Sequence, residues 1–172
     1  DEALVTYGNE VYKKRKEHFG FISQRLTDFC EQMQVKGITL VYRSSMPGQI
    51  MDLDYLRKNR VCEINHGKTL FGPHRDDLVI KKEDRDLKIF GSEGEHRIAS
   101  HALRLTEVAL IEQERKDESI KLLDEAIAEL DDRRQEFFLK NLQGQILFAT
   151  TRYIDHFGKH FVITDGAIKE TH

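Results

Sequence analysis

A strand-length apolar run that ends in two adjacent carboxylates constrains the fold more than any other feature of the sequence. Residues 120–131 read Ile-Lys-Leu-Leu-Asp-Glu-Ala-Ile-Ala-Glu-Leu-Asp, so the apolar run ends at Asp124 and Glu125. A Leu-Asp pair ending at Asp131 follows, seven residues after Asp124, and a helical pattern begins just beyond it. A strand, an acidic pair and a helix in this order indicate an α/β arrangement.

The acidic pair has two interpretations. In the first, the run is a Walker B strand, in which Asp124 holds Mg²⁺ and Glu125 orients or deprotonates the attacking water. In the second, the run is a core strand, and the acids are the N-cap and a first-turn Glu of the next helix, which is common in α/β proteins. Short motifs have a known false-positive risk, so the pattern alone leaves both open.

The composition is that of a globular chain with one or two domains. The chain has 172 residues, of which 39% are hydrophobic and 33% are charged, and this is enough to bury a core. No apolar run approaches the roughly 20 residues of a membrane span, and the start, Asp-Glu-Ala-Leu, has no basic and apolar leader. We therefore expect a chain that is neither membrane-bound nor secreted. The missing start methionine suggests a piece of a longer protein.

Cysteine spacing and net charge narrow the class further. Cys30 and Cys62 lack Cys-x-x-Cys spacing, which argues against a zinc site and a disulfide framework and favours a reducing cytoplasm. The net charge of −3 does not indicate a nucleic-acid binder, so any DNA contact must come from local basic patches. The basic run at residues 13–16 is a candidate, although such runs are more often solvated helix faces.

The first 68 residues predict a helical lobe. Apolar residues recur at helical spacing over residues 4–33, which predicts one long helix, with a break near Gly20 as an alternative. The remaining predicted elements of the lobe are a strand at residues 38–42, a turn at Pro47-Gly48, and a helix over residues 52–65 that Gly67 ends.

Residues 69–172 predict strands that alternate with helices. We expect strands at residues 69–71, 78–82 and 86–90, the last two as a hairpin, and then a long helix that ends near Lys116. After the acidic strand we expect a helix over 133–142, a parallel strand over 145–149, and a terminal hairpin of residues 161–164 and 167–171. Thr150 and Thr151 stand at a strand carboxyl end, where ligands of α/β proteins bind.

A charged loop after Gly72-Pro73 is a candidate functional segment. It consists of His74, Arg75, Asp76 and Asp77. A salt-bridged turn explains the same residues, because Gly-Pro followed by charges is typical of a tight connection. A protein-kinase catalytic loop is excluded, since Lys81 occupies the position that requires Asn.

The start of the long helix is a second candidate segment. Ser92 and Gly94 precede its apolar stripe, and the uncovered N–H groups of a helix start suit a phosphate. Ser92 and Glu95 also have the spacing of a capping box. The two interpretations are compatible.

The order and spacing of four motifs resemble a known class of ATPase. They are Ser92-x-Gly94-Glu95-x-Arg97 before a long helix, Leu-Leu-Asp124-Glu125, Glu-Leu-Asp131, and a strand that ends in Thr150-Thr151. Together they resemble the second half of an ABC-type ATPase head. With the preceding Gly-Pro-His-Arg-Asp-Asp-Leu, the string is similar to that of the RecF family of recombination proteins over about residues 69–172.

The resemblance implies roles for the motif residues. Two heads would sandwich ATP, with Ser92, Gly94 and Glu95 contacting the nucleotide held by the opposite subunit. Asp124 would hold Mg²⁺, Glu125 would activate water, and Asp131 would be the D-loop aspartate that communicates across the interface. Thr151 stands where most ABC proteins have a switch histidine, and RecF-like chains resemble this one in that departure.

The resemblance also implies partners. RecF-like proteins form ATP-dependent homodimers that bind DNA at gaps and single-/double-strand junctions, and they work with RecR and RecO to help load RecA in the SOS response. However, the 172 residues of the sequence contain no Gly-x-x-x-x-Gly-Lys-Ser/Thr phosphate loop. We therefore expect residues 69–172 to be the C-terminal half of a head, which alone neither binds ATP tightly nor hydrolyses it.

Two other functions remain as alternatives. A helicase motor fragment would explain Asp124-Glu125-Ala126-Ile127 as a DEAx box and Ala149-Thr150-Thr151 as a Ser-Ala-Thr-like motif. It does not explain the segment at residues 92–97 or Leu130-Asp131. A non-catalytic module for dimerisation or partner binding would explain the missing phosphate loop, with structural acids.

Overall fold

The structure is a computed structural model that describes residues 1–46, 51–115, 119–125, 130–142, 144–151, 158–164 and 166–171. The turn predicted at Pro47-Gly48 and the helix end predicted at Lys116 lie outside the described residues. Among those described, no helix combines the length and apolar character needed to cross a membrane.

The chain begins with the long helix that its periodicity predicts. Helix α1 spans Glu2–Gln32 and buries Leu26, Phe29 and Cys30. It continues through Gly20, so the alternative of a break there is wrong; a solvent-facing glycine lowers helix propensity by only about 1 kcal/mol, and the packed stripe outweighs that. Burial raises the pKa of the Cys30 thiol to about 12, which makes it an inert part of the core.

An antiparallel sheet follows α1. Strand β1 (Ile38–Arg43) pairs with β2 (Asp77–Lys82), and β2 pairs with the short β3 (Arg85–Asp86). The hairpin strand predicted at residues 86–90 is wrong beyond Asp86, because the Asp86 carboxylate accepts a hydrogen bond from the Lys88 N–H and starts helix α3 (Leu87–Phe90). The strand predicted at residues 69–71 is also wrong; this segment pairs with no strand and leads into the 3-10 turn Pro73–Arg75.

Helix α2 spans Leu53–His66, one residue later at each end than the predicted range of 52–65, and Gly67 ends it as predicted. The Asp52 side chain caps its first turn by accepting a hydrogen bond of 2.6 Å from the Tyr55 N–H. Gly67 ends it in the left-handed conformation, at φ 62°.

The acidic strand belongs to a parallel βαβ unit, as predicted. Strand β4 (Lys121–Asp124) pairs in parallel with β5 (Ile146–Ala149), and α5 (Asp132–Lys140) lies between them in the chain. The preceding helix, α4 (Glu93–Arg115), packs on α1. The chain ends in the predicted hairpin, β6 (His160–Thr164) with β7 (Ala167–Thr171).

One apolar core joins α1, β1, α4 and α5. Its fully buried members include Leu26, Ile38, Ala102, Leu105 and Phe138. The α/β class predicted from the sequence, with parallel strands, flanking helices and hairpins, is confirmed. The division into residues 1–68 and 69–172 stays a prediction, and the pairing of β1 with β2 bridges it.

Candidate functional site

The carboxyl ends of β4 and β5 bring the predicted acids beside the predicted switch position. Asp124 is the last residue of β4 and stands opposite Ala149. The Glu125 N–H then donates to the Ala149 carbonyl at 2.9 Å, which holds the two chain segments together one residue beyond the strands. Because parallel strands end at one edge, Thr150 and Thr151 emerge next to the acidic pair.

Glu125 has an unusual backbone conformation that turns its side chain toward the neighbouring strand. Its φ is 47°, in the left-handed region that residues other than glycine rarely adopt. Its carboxylate accepts hydrogen bonds from the Thr151 N–H at 2.8 Å and from the Thr150 hydroxyl at 3.3 Å. The sequence predicted Glu125 and Thr151 as site residues, and the structure joins them directly.

The donor atoms at this edge suit a hard cation but do not form a complete cage. Asp124 is exposed at the strand end, and carboxylate and hydroxyl oxygens are the donors that Mg²⁺ prefers. Within the described ranges, no three His, Cys, Asp or Glu side chains come together to hold a metal ion. The role of Asp124 as a magnesium residue therefore stays a prediction.

The start of α4 has the geometry of a capping box. The Ser92 N–H donates to Glu95 Oε2 at 2.9 Å, and the Glu95 N–H approaches the Ser92 hydroxyl at 3.4 Å. Glu95 Oε1 also binds the Lys82 ammonium of β2 at 2.5 Å. The hydrogen bond from Lys82, followed by that from Ser92, lowers the pKa of Glu95 to about 2. Both carboxylate oxygens thus have partners within the chain, and Lys82 is a partner that the sequence did not reveal.

Replacing Glu95 by Gln should destabilise the protein in a pH-dependent way. The folded state lowers the pKa of Glu95 from 4.5 to about 2, so its contribution is complete above about pH 4.5 and is lost as the pH falls toward 2. We expect the variant to unfold at lower urea concentration than wild type at pH 7, with a smaller difference at pH 3. Far-UV circular dichroism during urea titration measures this.

Glu93→Gln is the matched control for this prediction. Glu93 lies in the same helical turn and pairs with Arg97, but its side chain is 80% exposed, so water screens the pair and its loss has little effect. Equal urea midpoints for the two variants at pH 7 would remove Glu95 from the stabilising network.

Two glycines lie near the start of α4, and packing requires a glycine at only one of them. A Cβ on Gly91 would lie 2.6 Å from the Leu87 carbonyl and 2.7 Å from the His96 ring, so only glycine fits there. A Cβ on Gly94 would meet nothing within 4 Å. Gly94 is therefore not required by the packing of the described residues, and it leaves the exposed start of α4 open to close approach from outside.

The Asp131 carboxylate caps α5 and binds one of its arginines. Asp131 Oδ1 accepts a hydrogen bond from the Arg134 N–H at 3.0 Å, and Oδ2 lies 2.9 Å from Arg134 Nη1. Leu130, just before it, is buried in the core. The N-capping geometry is the structural interpretation of such an Asp. The role of Asp131 between subunits stays a prediction.

The charged loop divides into one buried carboxylate and three exposed residues. The Asp76 side chain is 3% exposed. It accepts hydrogen bonds from the Tyr42 hydroxyl, from the Ser45 N–H at 2.7 Å and from the Ser45 hydroxyl at 3.1 Å. Arg15 Nη1 lies 3.8 Å from it and donates to the Pro73 carbonyl at 2.6 Å. No sequence pattern indicated these partners, which lie in α1, in β1 and just after β1.

The pKa of Asp76 reflects two opposing causes. Burial raises it, but the hydrogen bonds from Tyr42 and Ser45 and the charge of Arg15 together lower the pKa below its ordinary value. Asp76 therefore stays ionised inside a turn that it holds together. His74, Arg75 and Asp77 remain exposed, and their functional role stays a prediction.

Comparison with known proteins connects this geometry to a family. No protein-family model matches the chain. The DNA replication and repair protein RecF of Bacillus cereus strain AH820 is 32% identical over 164 residues, which cover 88% of the chain and 44% of that relative. The chain belongs to the RecF family. RecF of Latilactobacillus sakei strain 23K is 28% identical over 193 residues, covering 98% of the chain and 50% of that protein.

Solved RecF structures have the same fold. The recombination mediator protein RecF of the RecFOR pathway, solved with ATP, superposes with a TM-score of 0.78 at 26% identity. The superposition covers 100% of the chain and 49% of that RecF protein. The chain thus spans about half the length of the RecF proteins it matches and corresponds to their C-terminal part. RecF membership leaves the helicase motor alternative without support.

Proposed function

We propose that the chain is the C-terminal half of a RecF-type ABC ATPase head. In the complete protein, two heads would hold ATP between them and thereby control binding to DNA at gaps and single-/double-strand junctions. One observation carries this proposal: Glu125, directly after the strand-end Asp124, is turned toward β5 and bound by Thr151. A cap of the following helix needs no such connection between two strand ends.

Each residue at the strand ends has a distinct role in this proposal. Asp124 would hold Mg²⁺, which would neutralise charge developing on the transferred phosphate. Glu125 would accept a proton from the attacking water or orient it, and the Thr151 N–H keeps the carboxylate in place for that role. Asp131 would face the second head. In this proposal, the acceptor for the water's proton would lie next to Thr151, the position where RecF-like chains replace the switch histidine.

One face of the parallel strands is uncovered by the part of the chain that the structure describes, and this supports the proposal of a further half. Leu122 and Leu147 are paired across β4 and β5, and they are 72% and 61% exposed. Their neighbours Leu123, Ile146 and Phe148 face the core. Parallel sheets normally have both faces covered. The remaining length of the RecF relatives would supply the covering layer and the phosphate loop.

Several partners follow from the family and are part of the proposal. Because a RecF relative is named as part of the RecFOR pathway, we propose that the complete protein works in the cytoplasm with RecR and RecO and supports RecA loading and the SOS response. The basic run at residues 13–16 is a candidate DNA contact. Two of its members, Lys13 and Lys14, are exposed and form only surface ion pairs within α1, with Glu17 and Glu10. Their exposure leaves both ammonium groups accessible to phosphates.

Gly94→Glu in the full-length protein should separate folding from function. A carboxylate in the first turn of α4 interacts favourably with the helix dipole, and the new side chain would meet no atom within 4 Å of its Cβ. The free energy of unfolding should therefore be unchanged or rise by up to about 1 kcal/mol. The same charge would repel a phosphate brought to the helix start. We therefore expect ATP-dependent dimerisation and ATP-dependent retention on gapped DNA to be lost, measured by light scattering and fluorescence anisotropy.

Gly94→Ala is the control that adds a side chain without charge. It should keep the fold and weaken dimerisation less than Gly94→Glu does. Wild-type dimerisation and DNA retention in both variants would contradict the proposal and favour the non-catalytic module. The 172-residue chain alone should show no ATP turnover, because its sequence lacks the phosphate loop.

A further inference from the structure

Arg134 connects the Asp131 carboxylate to the far end of α1. Its Nη1 lies 2.9 Å from Asp131 Oδ2, and its Nε donates to the Met33 carbonyl at 3.3 Å. The two ends of this bridge come from segments about a hundred residues apart in the chain. One side chain therefore sets the position of the aspartate relative to α1.

The Met33 carbonyl is a fixed anchor for this bridge. Helix α1 ends at Gln32 with Met33 as its C-cap, and Gln34 follows in the left-handed conformation at φ 68°. The Gln34 N–H donates to the Glu31 carbonyl and the Val35 N–H to the Cys30 carbonyl, which is the Schellman arrangement. This arrangement leaves the carbonyl of the capping residue Met33 without a helical donor, and Arg134 supplies one.

Helix α1 also contacts α4, whose first turn contains Gly94 and Glu95. It packs along α4, and His18 lies 3.8 Å from Glu114 near the end of α4. At its own end, Phe29 packs edge-on against Phe137 of α5. Helices α4 and α5 thus both pack against the same long helix, α1.

We propose that Arg134 is a positioning residue that presets Asp131 for contact with a second head. Its guanidinium can bind a carboxylate and a carbonyl at once, which a lysine cannot do in the same planar geometry. The Asp131 side chain is 54% exposed, so the ion pair contributes little to stability, and its effect is on the position of the carboxylate. The inference rests on the proposed function of Asp131 between subunits.

Arg134→Gln in the full-length protein tests the proposal. We expect ATP affinity of the monomer to change less than about twofold, and ATP-dependent dimerisation and turnover to fall about tenfold, a typical coupling for a residue that acts through another. Arg133→Gln is the matched control. Arg133 lines an open groove of about 330 Å³ together with Asp131 and Arg134, and it has no ion pair among the described residues. It should behave like wild type. Arg134→Lys should give an intermediate loss and carries the test if the Gln variant fails to fold.

A double variant shows whether Arg134 acts through Asp131. Asparagine is also a good N-cap, so Asp131→Asn should keep α5. If the proposal holds, Asp131→Asn with Arg134→Gln dimerises no worse than Asp131→Asn alone. Additive losses, or equal losses from Arg133→Gln and Arg134→Gln, would overturn it. If Asp131→Asn alone leaves dimerisation and turnover unchanged, the proposed function of Asp131 is wrong and the positioning role falls with it. If Asp131→Asn reduces them and Arg134→Gln does not, only the positioning role is wrong.

Discussion

Glu125→Gln in the full-length protein should abolish ATP turnover and leave an ATP-bound dimer. The amide has the same size, and its oxygen can still accept the hydrogen bond from the Thr151 N–H, so the local structure should survive. It cannot accept a proton from water at neutral pH, and loss of a general base typically costs 10²–10⁴-fold in rate, so we expect a fall of more than about 100-fold. Phosphate release with and without gapped DNA measures turnover, and light scattering measures the dimer.

Asp132→Asn is the matched control for this prediction. Asp132 is an exposed acid in the first turn of α5, and its replacement removes the same negative charge from a position outside the strand ends. It should leave turnover within about twofold of wild type, as surface substitutions usually do. Should Glu125→Gln leave turnover, dimerisation and DNA binding all unchanged, the acids are structural and the chain is a non-catalytic module.

Asp76→Ala should destabilise the protein by about 3 kcal/mol, because it leaves buried hydrogen-bond donors without an acceptor. The Tyr42 hydroxyl and the Ser45 N–H both donate to this carboxylate. The Arg15 pair adds little, since the Arg15 side chain is 45% exposed. Equilibrium urea unfolding followed by circular dichroism measures the loss.

Asp77→Ala is the neighbouring control. Asp77 is exposed, and its carboxylate accepts only a local hydrogen bond from the Leu78 N–H among the contacts described. Its replacement should change the free energy of unfolding by less than about 0.5 kcal/mol. If the two variants lose the same stability, the Asp76 network does not hold the loop to α1. The pKa of the Asp76 carboxyl group is lowered in the folded state. The stability that ionised Asp76 contributes should therefore be lost as the pH falls through this lowered pKa.

Local periodicity and capping predicted the elements that are long or have clear ends. Helices α1 and α4 carry continuous apolar stripes, and the Asp52 and Gly67 ends of α2 follow from side-chain and backbone chemistry within a few residues. The errors at residues 69–71 and 86–90 occurred in short segments. In the second of these segments, the cap that the Asp86 carboxylate gives to Lys88 outweighed β propensity.

The order of the motifs is a property of the sequence alone, and that order was enough to indicate the RecF family and the residues of the candidate site. The partners of those carboxylates, in contrast, depend on how the helices and strands pack. Lys82 binds Glu95, Arg15 and Tyr42 contact Asp76, and Arg134 joins Asp131 to Met33. Several of these partners are many tens of residues away in the chain, and nothing in the local sequence distinguishes them from other polar or basic residues. Packing of α1 against the sheet and α5 selects one partner, and no local pattern records that choice.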